Sequence, residues 1–157
     1  MKQDKFLTGI LVGIGALILL ALALFFARQD SPRKYVSDAE PDGVVHNYIL
    51  AALNKDYQKA YGYLADLDHK PTYDEFRQAF FNGSVNLGNA GVEVGAADVF
   101  NDEAVVTLTI HYANNDPFSN NYSSEERASL IRQNGAWKLT YMPYQFWAYS
   151  WYQDMQK

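Results

Sequence analysis

The chain has 157 residues, a formal net charge of −5 and no cysteine, which excludes a disulfide framework, a thiolate metal site, a thiol nucleophile and a lipidated N-terminal cysteine. Once an apolar run and the polar stretch behind it are set aside, residues 41–157 are enough for one small domain and too few for two, and 12 Tyr, 9 Phe and 3 Trp are too many aromatics for a disordered chain. Residues 35–157 carry eight basic against sixteen acidic groups, so the domain lacks the clustered positive charge that nucleic acid requires.

Residues 1–5 form a short tail with two lysines, followed at 6–27 by 22 residues without a charge. As a helix this run spans ~33 Å, enough for a ~30 Å hydrocarbon core. A cleaved signal peptide has a shorter core and a small-x-small site after it. Here the one such triplet, Ala21-Leu22-Ala23, lies inside the run. We therefore expect a retained single-pass signal anchor in the cell membrane, with the lipid bilayer as a partner. Basic residues flank both ends (Lys2 and Lys5; Arg28, Arg33 and Lys34), so the positive-inside count alone mildly favours the opposite orientation. The short tail argues for a cytoplasmic N-terminus and an outer domain. Gly9 and Gly13 form a G-x-x-x-G and are the candidate helix-packing residues. Glycine is common in membrane helices, and chance explains the match at least as well.

Residues 28–40 lack periodicity and contain Pro32, so they read as a linker. Pro41 suits a first helical position, with Glu40 or Asp38 as cap. Val44, Val45, Tyr48, Ile49, Ala52 and Leu53 then recur at helical spacing and predict one apolar face. Asp56 predicts the cap of a second helix, with Tyr57, Ala60, Tyr61 and Leu64 on its apolar side. Residues 66–71 read as a polar loop. Thr72-Tyr73-Asp74-Glu75 is a capping box and places a third helix at 73–81, with Phe76, Ala79 and Phe80 inward.

After Asn82-Gly83 the period changes to two. Val85 and Leu87 alternate weakly, then Val92 and Val94. The clearest strand is 103–112, with Val106, Leu108, Ile110 and Tyr112 on one face and Val105, Thr107, Thr109 and His111 on the other. Residues 113–124 read as a long polar turn. Strands at 125–132 and 136–142 then flank an Asn134-Gly135 hairpin. The prediction is an α+β domain at 41–142: roughly three helices packed on a curved antiparallel sheet of about four strands.

The stretch 41–64, PDGVVHNYILAALNKDYQKAYGYL, resembles the opening of bacterial nuclear transport factor 2-like (cystatin-type cone) domains. The Asn134-Gly135 turn followed by Trp137-Lys138-Leu139 is similar to their last strand pair. The resemblance implies a curved sheet wrapped on a long helix and enclosing a cone-shaped cavity. It also implies an outer domain behind one membrane helix, often without activity, as in some secretion-channel subunits. Enzymes of that family place an Asp or a Tyr-His-Asp set in the cone, where Asp98 and Tyr112 are the residues to consider and His111 the one histidine whose face could line it.

The residues themselves argue little chemistry. His46, His69 and His111 show no i, i+3 or i, i+4 pairing, so no metal site is expected. Asp98 and Asp102 read as turn chemistry around Phe100-Asn101-Asp102. Asn114-Asn115-Asp116 and Ser119-Asn120-Asn121 lack the spacing of a calcium loop. There is no G-x-S-x-G, no G-x-G-x-x-G and no phosphate loop. Asn82-Gly83-Ser84 and Asn121-Tyr122-Ser123 match a glycosylation sequon, a pattern that arises by chance. We expect no catalytic residue and no cofactor.

The C-terminal extension, 143–157, is the anomaly. Seven of the twelve residues from 141 to 152 are aromatic. Tyr144, Trp147, Trp151 and Met155 fall at helical spacing, with Phe146, Tyr149 and Tyr152 on the other sides, so a helix here would be apolar all round. Such a segment either folds back as a lid or meets a partner. The expectation leans to docking, with Tyr144, Phe146, Trp147, Tyr149, Trp151 and Tyr152 as candidate interaction residues. The functional reading is a non-enzymatic, membrane-anchored extracytoplasmic interaction domain, an accessory subunit of a larger membrane complex, with a protein partner or self-association. A small-ligand module using the cone is the alternative, and a cone-site enzyme the third.

Overall fold

The computed structural model describes residues 5–27, 34–88, 91–112 and 122–153. The chain divides into two compact units, Met1–Arg33 and Lys34–Lys157. The tail at 1–4, linker residues 28–33, residues 113–121 with their oxygen-rich triplets, and Met155 lie outside the described residues.

The first unit is one helix, α1 (Lys5–Ala27), and it is long and apolar enough to cross a membrane. None of Thr8–Phe25 is buried. Beyond the helix's own nearby backbone and the adjoining residues, no atom stands within 4 Å of where a Cβ would sit on Gly9 or Gly13, so both leave open surface along the helix.

The second unit is built from helices α2 (Pro41–Leu53), α3 (Tyr57–Gly62) and α4 (Tyr73–Phe81) and strands β1 (Gly91–Phe100), β2 (Glu103–Tyr112), β3 (Tyr122–Gln133) and β4 (Ala136–Tyr141). Pro41 opens α2 as its sequence predicts, but the Glu40 side chain makes no capping bond; its carbonyl takes the Val44 N–H at 3.2 Å. Val44, Val45, Tyr48, Ile49 and Ala52 are buried. So are Leu50 and Ala51, so α2 is enclosed on more than one face. Leu53, expected on the inner face, is instead 38% exposed, at the point where the chain turns out through Asn54 and Lys55. Lys55 makes that turn in a left-handed conformation (φ 60°).

Asp56 caps α3, accepting from the Lys59 N–H at 3.2 Å. At α4 both halves of the capping box form: Thr72 Oγ1 accepts from the Glu75 N–H at 3.3 Å, and the Glu75 carboxylate accepts from the Thr72 N–H at 2.8 Å. The bonds from the Thr72 backbone and hydroxyl hold the Glu75 carboxyl below its ordinary range. Thr72→Ala is expected to cost ~1 kcal/mol and to lower the melting temperature by a few degrees, measured by circular dichroism.

The sheet is an antiparallel meander in the order β1-β2-β3-β4. Asn134 (φ 51°) and Gly135 (φ 80°) both adopt the left-handed conformation that a two-residue hairpin needs. Strand β1 runs on to Phe100 because a register shift between Val94 and Ala97 keeps Val92, Val94 and Ala97 on the face of Ile110, Leu108 and Val106. Strand β3 starts at Tyr122, so the sheet claims three residues that read as turn. The outer edge of β4 is covered. The Ala65 N–H bonds to the Leu139 carbonyl, and the Leu139 N–H to the Tyr63 carbonyl, each at 2.8 Å. Helix α2 lies against β1, β2 and β4, and the core sits between it and the inner face of Val106, Leu108, Ile110, Ala128, Leu130 and Leu139.

Candidate functional site

The apolar inner face of the sheet is where a cone-type domain would open a cavity. The C-terminal extension joins the core there through contacts with α2 and α4. After Pro143 the chain forms turns rather than the expected helix, with the Phe146 N–H on the Pro143 carbonyl (2.8 Å) and the Trp151 N–H on the Ala148 carbonyl (3.1 Å). A helix would spread the aromatic rings around its circumference. The turns gather Phe146, Trp147, Trp151 and Tyr152 on one side, each at most 4% exposed. Trp151 stacks on Phe76 with centroids 4.9 Å apart. Trp147 stacks on Tyr152 (5.7 Å), meets Trp151 edge-on (5.0 Å) and lies 6.3 Å from Tyr48.

Two phenols pin the segment. Tyr48 on α2 donates to the Phe146 carbonyl at 2.6 Å, and Tyr152 donates to the Ala65 carbonyl. Burial pushes both phenols well above the ordinary tyrosine range; the nearby Tyr152 adds to the effect at Tyr48, and Tyr61 and Asp66 add to it at Tyr152. The candidate interaction residues therefore divide. Phe146, Trp147, Trp151 and Tyr152 belong to the domain's own core. Tyr144 (70% exposed) and Tyr149 (87%) remain on the surface.

One corner of the inner face is polar. Tyr112 and Tyr122 are cross-strand partners with stacked rings 5.7 Å apart. The Gln145 amide nitrogen donates to the Tyr112 hydroxyl at 2.6 Å, and Gln145 itself is buried. A hydrogen bond with Tyr112 raises the Tyr144 phenol, and Glu126 adds to the rise. Tyr112 thus points inward as its alternation predicts, but its hydroxyl is engaged by Gln145. This corner was missed because Gln145 sits inside an aromatic run whose path the spacing did not reveal.

The other chemistry-bearing residues do not join it. His111 lies on the outer face, opposite the helices, 3.7 Å from Glu93, so it does not line the inner space. Asp98 is exposed and pairs across strands with the outward Val105. Asp102 sits in the β1–β2 turn, where its carbonyl accepts from the Arg132 N–H at 2.7 Å. His46 Nε2 donates to the Lys34 carbonyl at 3.2 Å. His69, in a left-handed loop conformation (φ 59°), accepts the Tyr152 N–H at its carbonyl (3.3 Å). Among the described residues no three His, Asp or Glu side chains converge as a metal site.

Surface grooves also flank the described residues. One of about 470 Å³ runs between the 69–71 loop, α4 and the extension, lined by His69, Lys70, Glu75, Gln78, Ser150 and Trp151. Asn82 and Ser84 of the sequon also line it, with the Asn82 side chain accepting the Ser84 N–H at 2.9 Å. The second, about 510 Å³, is lined by Asp38, Lys59, Tyr63, Trp137 and Lys138.

No family model and no curated protein matches the chain. Among solved structures it is similar to a SEC-C motif containing protein from Rhodopseudomonas palustris, at 14% identity over 68% of this chain and 79% of that one, with a TM-score of 0.46. It is also similar to an uncharacterized cystatin fold protein from Novosphingobium aromaticivorans, at 8% identity over 65% of this chain and 98% of that one, with a TM-score of 0.41.

Proposed function

We propose that the chain is a single-pass membrane-anchored interaction domain of the nuclear transport factor 2-like type, working without catalysis as an accessory subunit of a larger membrane complex. The observation that carries this reading is α1. Its apolar side chains stand exposed along Thr8–Phe25, among them Leu11 (62%), Leu17 (67%) and Leu19 (69%). Bare apolar surface of that extent is stable in lipid and not in water. The N-terminus is cytoplasmic and the acidic domain lies outside. Its partner-facing groups are Tyr144 and Tyr149, since the other aromatics of the extension are occupied inside the fold. Large amphipathic side chains of this kind supply contact area and a hydrogen bond together.

The chain is expected to stay in the membrane fraction through high-salt and carbonate washes, with residues 1–27 retained. Protease added to intact spheroplasts should degrade the domain. A mature N-terminus beyond Ala27 would remove the anchor from this reading, and a domain protected until the membrane is broken would reverse the orientation. Gentle detergent extraction should co-purify a partner that Tyr144→Ala with Tyr149→Ala releases.

The small-ligand reading is favoured by surface grooves such as the 470 Å³ one beside α4, which is within the size range of small-molecule sites. A ligand would bind there, outside the space that the extension fills.

A further inference from the structure

Asn47 is a polar residue in the middle of α2, 2% exposed, on a helix whose other buried residues include Val44, Val45, Tyr48 and Ala51. A buried amide must find partners for both of its ends. Asn47 bonds with each end to the same residue eleven positions earlier, and its amide also meets the Tyr63 hydroxyl. The Val36 N–H donates to Asn47 Oδ1 at 2.9 Å, and Asn47 Nδ2 donates to the Val36 carbonyl at 2.8 Å. This is the double exchange that one residue of a β-ladder makes with its partner, here performed by a side chain. One turn earlier, Gly43 has no side chain, and a Cβ there would run into the Ser37 carbonyl oxygen. On the same segment His46 Nε2 holds the Lys34 carbonyl at 3.2 Å, and the Lys59 ammonium lies 3.2 Å above the centre of the Tyr35 ring.

We infer that residues 34–37 form a strap locked onto α2, with Asn47 as the positioning residue of the lock and Gly43 as the bare surface that admits the strap. Three successive strap residues, Lys34, Tyr35 and Val36, are each held by a different group of the helices, and Ser37 lies against Gly43. Apolar burial is not what holds them, since Tyr35 is 38% and Val36 50% exposed. The lock is therefore specific and releasable. It shortens the chain joining Ala27 to the fold to residues 28–33; releasing it extends that join to Glu40. Under the anchored reading, on which this consequence alone rests, the strap sets the tether length and with it the effective concentration of the domain at a partner in the same membrane. The lock itself does not depend on that reading.

Amide hydrogen exchange of the full chain in detergent micelles tests it. In the wild type the Val36 amide should be protected despite its exposed side chain. Asn47→Ala, which keeps α2 helical, should speed exchange at Val36 by about 10- to 100-fold while Leu108 and Ile110 in β2 stay protected. Gly43→Ala should do the same by displacing the strap with Asn47 intact, and it serves if the first variant does not fold. Unprotected Val36 in the wild type would overturn the inference. So would unchanged Val36 exchange in both variants, or β2 and Val36 losing protection together, which would make Asn47 a core residue and not a lock.

Discussion

Replacing Trp147 and Trp151 together by alanine is expected to leave the domain unfolded or barely folded at room temperature. Each is at most 4% exposed, and truncating a buried large aromatic costs ~3–5 kcal/mol. Their rings are 5.0 Å apart, so the two losses share one cavity and sum to less than twice that. Even so, the total approaches the ~5–15 kcal/mol that holds a domain together, and the melting temperature should fall by more than about 20 °C. Thermal melts of the full chain in micelles would read this. The single variants should differ in what they loosen: Trp151→Ala removes the partner stacked on Phe76, and Trp147→Ala the one between Tyr48 and Tyr152. Tyr149→Ala, at an 87% exposed side chain, should stay within about 0.5 kcal/mol of the wild type. A double variant that melts within a few degrees of the wild type would return Trp147 and Trp151 to a docking surface.

The extension is also where reading the sequence stopped short. Its composition announced burial, and burial is what most of it has. Its spacing suggested a helix, because rings at every third and fourth position fit one, yet the same residues fit any path that brings Phe146, Trp147, Trp151 and Tyr152 to one side. What selects the path is tertiary: the Tyr48 phenol awaiting the Phe146 carbonyl, and the open face of Phe76 on α4. Neither is local in sequence. Features whose cause is local were legible. Thr72 and Glu75 cap α4 through bonds within four residues, Asn134-Gly135 can only turn, and the period-two run at 103–112 falls on β2.

Faces were legible only where the alternation was unbroken. In β2 it is, and Val106, Leu108 and Ile110 all point inward. In β1 the register shift after Val94 moves Asp98 to the outer face, and nothing in a run of small residues marks where such a shift falls. His111 was placed on the correct side of β2 relative to its neighbours, but which side the helices cover is decided by packing of α2. The lock of Asn47 on Val36 was hidden for a related reason. A polar residue inside an apolar helix signals a buried partner without saying which one.

Raising the pH past 10 is expected to unfold the domain over about two pH units, through Tyr48 and Tyr152. In the unfolded chain a tyrosine ionises near pH 10. In the fold, burial above all holds both phenols protonated to higher pH. Below pH 10 both states keep their protons, and these residues make stability independent of pH. Above it the unfolded state loses protons that the native state retains, so stability falls as pH rises toward the folded-state values, by at most about 1.4 kcal/mol per pH unit for each residue and by less for the partly desolvated Tyr152. Two residues over two units remove at most about 5 kcal/mol, enough to matter against the whole stability of a small domain. Tyrosinate absorbance should therefore show these phenols ionising only together with the loss of near-ultraviolet circular dichroism. Tyr48→Phe should be less stable at neutral pH by ~0.5–1.5 kcal/mol, having lost the bond to the Phe146 carbonyl, yet its stability should decline less steeply with pH. Tyr152→Phe should behave alike. The two lines, wild type and variant, should converge or cross in the alkaline range. Equal slopes would mean that neither phenol stays protonated in the fold, and that the space beneath the extension is open to water.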